Sequence, residues 1–179
     1  RGSVLHWYTY ANPFYNWGKS VELKTIPFIK WKPFLLQKFA HKKIHLDDDV
    51  IKYVLESMYY VPNYICKLCS DIYETHSNTK ISNMAVSETI NRTYLNSQSR
   101  YAEKIAFLTN KQIKLLAVVA SKKKIKEMTS NEIVSASGIS TRGILTIYKM
   151  LLDKGYLERD EEGVRIADPL FAYYLLREF

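Results

Sequence analysis

The chain has 179 residues, 47% of them hydrophobic, and a formal net charge of +8. That is enough apolar material for one sizeable core or two small ones. No apolar run approaches the roughly 20 residues of a membrane helix, and no charged-then-apolar signal opens the chain. The expectation is therefore a soluble, cytoplasmic protein with no membrane partner.

In chain order, the first 24 residues are rich in aromatics, including Trp7, Tyr8, Tyr10, Phe14, Tyr15 and Trp17. Val4 to Tyr10 reads as a short helix, broken by Asn12-Pro13. Val21 to Ile26 alternates apolar and polar residues, the period of a half-exposed strand, and Pro27 ends it. Pro33 to Phe39 reads as a short amphipathic helix carrying Phe34, Leu35 and Phe39. Asp47-Asp48-Asp49 opens the next helix, where carboxylates suit the unpaired N–H groups and the positive end of the dipole. Val50, Val54, Leu55 and Met58 then share a face. Pro62 starts another helix at no hydrogen-bond cost, with Ile65, Leu68, Cys69, Ile72 and Tyr73 as its stripe. After a loop at 76–79, a helix runs from about Ser82 to Leu95 with Met84, Val86 and Ile90 inward. Asn96 to Ser99 is polar and reads as a joint.

The second half is more explicit. Thr109 and Gln112 form a capping-box pattern ahead of Ile113, Leu116, Ala117 and Ala120. Lys122-Lys123-Lys124 and Lys126 are the densest positive cluster. Thr129 and Glu132 read as a second capping box, Gly138 as a left-handed helix end, and Ser140 as the cap of a helix with Ile144, Ile147, Met150 and Leu151 inward. Gly155 ends that helix. Tyr156–Arg159 and Val164–Ile166 can pair around Asp160-Glu161-Glu162-Gly163, and Leu170 to Leu176 reads as a closing helix. Helix, turn, helix, hairpin is the order of a winged helix-turn-helix. The fold class is thus mostly α: a helical bundle followed by a winged helix-turn-helix with a small β-hairpin wing.

In such a module the second helix enters the major groove of DNA and its first residues reach base edges. Those residues here are Ser140, Thr141 and Arg142, and Arg142 has the fork that reads guanine. Thr146 and Lys149 lie on the exposed side of the same helix. Arg159 and Arg165 flank the wing and could grip phosphates, and the lysine run could add sequence-independent contacts. The acidic wing tip argues the other way, toward a protein partner or intramolecular docking. DNA and protein targets both stay open.

No phosphate-binding loop, dinucleotide fingerprint or nucleophile elbow occurs among only six glycines. Cys66 and Cys69 lack the second ligand pair of a zinc site and read as buried or half-buried structural thiols. Asp47 to Asp49 read as caps rather than as a metal site. These residues carry no catalytic motif and no metal site.

Several segments together resemble AAA+-related ATPases of the STAND-like archaeal and bacterial type. They are Gly2-Ser3, Asn12-Pro13-Phe14-Tyr15, Val21-Glu22-Leu23, Phe39, the acidic start at Asp47, Tyr60-Val61-Pro62-Asn63-Tyr64, Leu108 to Leu116, Leu152 to Leu157, and Asp168 to Leu175. The resemblance implies the C-terminal part of a larger ATPase. On that reading residues 1–26 are the tail of a nucleotide-binding core, 27–96 a helical lid-like bundle and 97–179 the winged-helix domain. The fragment would couple nucleotide state to DNA, a protein partner or its own ATPase core. ATP and Mg²⁺ would belong to the full-length parent, with no cofactor held by this fragment. Two positions depart from the family pattern: Tyr60 replaces a glycine, and Asn63 stands where relatives place an arginine that senses the γ-phosphate. The other readings are a free-standing winged-helix DNA-binding regulator and a protein-interaction adaptor.

Overall fold

A computed structural model describes residues 25–179. The helix expected at Val4–Tyr10 and the strand expected from Val21 lie outside these residues, except that Thr25 and Ile26 are irregular. Among the described residues, nine helices and one two-stranded antiparallel hairpin form two compact units, one running to Ser99 and the other from Arg100 to Phe179. No helix among them is long and apolar enough to cross a membrane.

The first unit holds α1 (Phe28–Ala40), α2 (Asp48–Ser57), α3 (Pro62–Thr75) and α4 (Asn83–Leu95). Helix α1 begins five residues before Pro33, which lies inside it. Trp31, Leu35 and Phe39 recur at a spacing of four and are all buried. Their burial, about 1.5–3 kcal/mol per large side chain, outweighs the single backbone bond that proline forfeits. Phe34 is left exposed. In α2 the expected face holds: Val50, Ile51, Val54, Leu55 and Met58 are buried. Its acidic start is different, since Asp47 makes no cap and pairs with Lys80 at 2.6 Å, while Asp48 pairs with Lys32 at 2.8 Å. Tyr60 follows at φ 56, the left-handed conformation that glycine adopts without strain. Pro62 stands in the first turn of α3, as expected, and buries Ile65, Leu68, Cys69 and Ile72 behind it. Cys66 is exposed, a correction to the expected burial of both thiols. Burial pushes the Cys69 thiol up to about 12, with Cys66 adding to the rise. Met84 is 71% exposed rather than inward, because it lies in the first turn of α4 while Val86 and Ile90 take the core.

The second unit begins within α5 (Gln98–Ala106), which takes in the last two residues of the expected polar joint and leaves Asn96 and Ser97 as the turn. Tyr101 explains it. Fully buried, its ring packs on Phe171 and Tyr174 at 5.5 and 5.8 Å, and its hydroxyl donates to Asp168 at 3.1 Å. These partners come from α9 (Pro169–Glu178), far along the chain. Helix α6 (Asn110–Lys122) opens with the full capping box: Thr109 N–H donates to Gln112 Oε1 at 2.8 Å, and Gln112 N–H to Thr109 Oγ1 at 3.4 Å. Its buried face is rotated slightly from expectation, to Leu115, Leu116, Val119 and Ala120. Helix α6 packs on α7 (Asn131–Ser137), α8 (Thr141–Asp153) and α9. The hairpin pairs β1 (Leu157–Asp160) with β2 (Gly163–Ile166). Ile125 adds one further rung outside the hairpin, exchanging backbone bonds with Val164 at 2.8 and 2.7 Å. This is a winged helix-turn-helix, so the architecture is mostly α, a helical bundle followed by a winged helix with a small hairpin wing.

Candidate nucleic-acid interface

The turn between α7 and α8 is built locally. Gly138 ends α7 at φ 64, its N–H bonded to Val134 carbonyl at 2.8 Å, the left-handed helix end that glycine favours. The second capping box does not form. Ser130, not Thr129, is the N-cap, which moves Glu132 into an ion pair with Lys122. Ser140 caps α8 as expected, accepting from Gly143 N–H at 3.4 Å. Ile144 and Leu151 are fully buried. At the other end Gly155, at φ 71, and Tyr156 donate to Leu152 and Leu151 at 3.0 and 2.9 Å, the paired closing bonds of a Schellman motif.

Burying Ile144 and Leu151 turns the opposite side of α8 outward. Ser140, Thr141, Arg142, Thr146 and Lys149 are all exposed. Arg142, Thr146 and Lys149 recur at helical spacing and make one stripe, with Leu145 beside them at 51% exposure. Thr146 donates back to Arg142 carbonyl at 3.1 Å. The side chains of Arg142 and Lys149 make no hydrogen bond or ion pair with any described residue.

The wing differs. Arg159 stands opposite Val164, and Arg165 opposite Glu158, so the two arginines fall on opposite faces of the hairpin. Arg159 is exposed. Arg165 is bound across the strands to Glu158 at 2.6 Å. At the tip, Asp160 accepts from the N–H groups of Glu162 and Gly163 at 2.9 and 3.1 Å, closing the turn. Lys124 reaches over from the lysine run to Asp160 at 2.8 Å and Glu162 at 2.6 Å. Burial works against the charge of Asp160, but Lys124 and the two N–H groups outweigh it and hold the carboxyl below its ordinary value. Burial likewise opposes the Lys124 charge, and its two carboxylate partners raise it nonetheless. The lysine run is therefore partly spent: Lys122 on Glu132 and Lys124 on the wing, leaving Lys123 and Lys126 exposed.

Two cations on α6, one of them beside the turn before α8, escaped the sequence reading. Lys111 and Lys114 lie on α6, exposed and three residues apart. The Lys114 ammonium lies against the turn before α8, so that a Cβ on Gly138 would sit 3.4 Å from its Nζ. The reading of α6 followed its apolar stripe. The polar side was legible as a lysine pair at helical spacing, but nothing local says which neighbour it faces.

Residues 99–177 match the family model described as "Probable winged helix domain". Among solved structures the chain is similar in fold to a Walker-type ATPase of Pyrococcus abyssi, with 15% identity and a TM-score of 0.63 over 97% of this chain and 49% of that one. The chain thus spans about half the length of that protein. No curated protein matches it.

Proposed function

We propose that these residues are the C-terminal regulatory and binding part of a Walker-type ATPase, a helical lid followed by a winged helix that docks on duplex DNA and couples docking to nucleotide state. The observation that carries the docking reading is the outer stripe of α8: Arg142, Thr146 and Lys149, with neither cation bound to a carboxylate. It lies on the helix that a helix-turn-helix inserts into the major groove. Arg142 would take guanine O6 and N7, Leu145 the methyl of a thymine, and Lys149 a phosphate.

The ATPase reading is supported by the fold likeness and by the family resemblance of the motifs. ATP and Mg²⁺ are assigned to the nucleotide-binding core of that parent. Asn63, an exposed neutral amide in the first turn of α3, carries no charge to set against a γ-phosphate and does not fit the role of its sensor.

Fluorescence anisotropy of the whole chain against a random duplex of about 25 base pairs tests the docking reading. Binding at about 50 mM salt that weakens as salt rises is the expected result, and no binding at that salt rejects it. A protein target is the second reading, favoured by Leu145 in the middle of the stripe and by the exposed Glu161 at the wing tip.

A further inference from the structure

We infer that the phosphate-contacting surface extends from α8 onto α6 through Lys111 and Lys114, and does not extend onto the wing tip. The inference rests on the DNA reading and adds where the second track of the duplex backbone is held.

Three observations carry it. First, Lys114 brings its ammonium against Gly138, two residues before the cap of α8, so its charge lies beside the end of the helix that approaches the groove. Lys111 stands one turn earlier on the same side of α6. Second, neither lysine has a carboxylate partner among the described residues. A phosphate arriving there meets charge with no ion pair to break. Third, the wing tip stays acidic. Lys124 is one cation shared by Asp160 and Glu162, and Arg165 is held by Glu158, so with the exposed Glu161 the tip's three carboxylates outnumber their clamping lysine by two. A phosphate at the tip would face those carboxylates and would have to break the Lys124 clamp. Arg159, Lys123 and Lys126 are exposed as well, but only the α6 pair includes a cation seated against the turn that leads into α8.

The test is a salt titration of duplex binding by the whole chain, comparing wild type with K111Q/K114Q and with E161Q. Each lost phosphate contact lowers the slope of log Kd against log salt by about 0.9. The double variant should therefore lose about 2 from the slope at unchanged melting temperature, with K114Q alone losing about half of that. E161Q should leave the slope unchanged. If wild type binds and K111Q/K114Q keeps the full slope, the α6 track is wrong while the α8 reading stands. If E161Q changes the slope, the wing takes part and the inference is overturned. If wild type does not bind duplex, both fall together.

Discussion

Gly163 meets two requirements that no other residue meets at once. Its φ is 145, and a Cβ there would lie 2.5 Å from the Ile125 carbonyl oxygen that accepts from Val164. Gly163→Ala should destabilise the chain by about 3 kcal/mol, from backbone strain and loss of the Ile125 rung together. Urea denaturation measures it, and a change under about 1 kcal/mol would mean that the rung gives way without cost. Arg142 is the opposite kind of residue, since its side chain makes no hydrogen bond or ion pair with any described residue. Arg142→Ala should leave the melting temperature unchanged and weaken binding to a preferred duplex by about 1–3 kcal/mol. An unaltered binding isotherm would move the base-reading contact away from the start of α8. Tyr60 shows what a pattern of residue types misses. Where the resemblance expects glycine, the tyrosine adopts a left-handed conformation of the kind that glycine takes without strain.

At the scale of elements, Asp168 joins two helices. Its Oδ1 accepts from the N–H groups of Leu170 and Phe171 at 3.0 and 3.2 Å, capping α9, and the carboxylate also receives the Tyr101 hydroxyl from α5. Burial and the Asp168 charge push that phenol up to about 12, against the opposing pull of Arg100. Asp168→Ala should cost about 1–2 kcal/mol as a lost cap, with a further loss for the orphaned Tyr101 hydroxyl. Thermal melts of D168A, Y101F and the double variant would show non-additivity if the two act as one unit. The wing clamp makes a pH prediction. The Asp160 carboxyl is held below its ordinary value of 3.8, so the folded state binds that proton less readily than the unfolded chain. The stabilisation is complete above that value and disappears as pH falls through and below it. Lys124 is raised above 10.5, so its share is lost only as pH climbs past that value. Wild type should lose melting temperature on acidification below about pH 4 more steeply than K124Q, and parallel curves would show that the clamp is not stabilising.

At the scale of the whole molecule, the net charge of +8 makes association with a polyanion salt-dependent whatever the sequence bound. If Lys149, Lys111 and Lys114 each displace a counterion, raising salt fourfold should lower affinity by about 40-fold. A nearly flat titration would point to an interface dominated by apolar contact, of the kind Leu145 could anchor. The total charge could be read from composition alone, but its availability could not. The lysine run is the densest cluster in the chain, and two of its members are bound to carboxylates that lie 10, 36 and 38 residues away.

What the sequence by itself determined is whatever depends on neighbours within a few residues. The Thr109–Gln112 box, the Ser140 cap, Gly138 and Gly155 as helix ends, Pro62 in a first turn and the hairpin around Asp160 all follow from local backbone chemistry. They sufficed for the winged helix and for which of the named residues of α8 face outward. What only the tertiary structure decided depends on distant groups. Helix α5 is polar in its own sequence and is fixed by Tyr101 meeting Phe171, Tyr174 and Asp168. Pro33 sits inside α1 because Trp31, Leu35 and Phe39 are buried together. Glu132 leaves its expected box for Lys122, Asp47 and Asp48 leave their expected caps for Lys80 and Lys32, and Lys114 comes to rest beside Gly138. Apart from α1, whose stripe at a spacing of four is itself local, a charge or ring found a partner 10 or more residues away in place of the one sequence spacing offered. Long-range pairing of that kind carries no local periodicity from which it could be read.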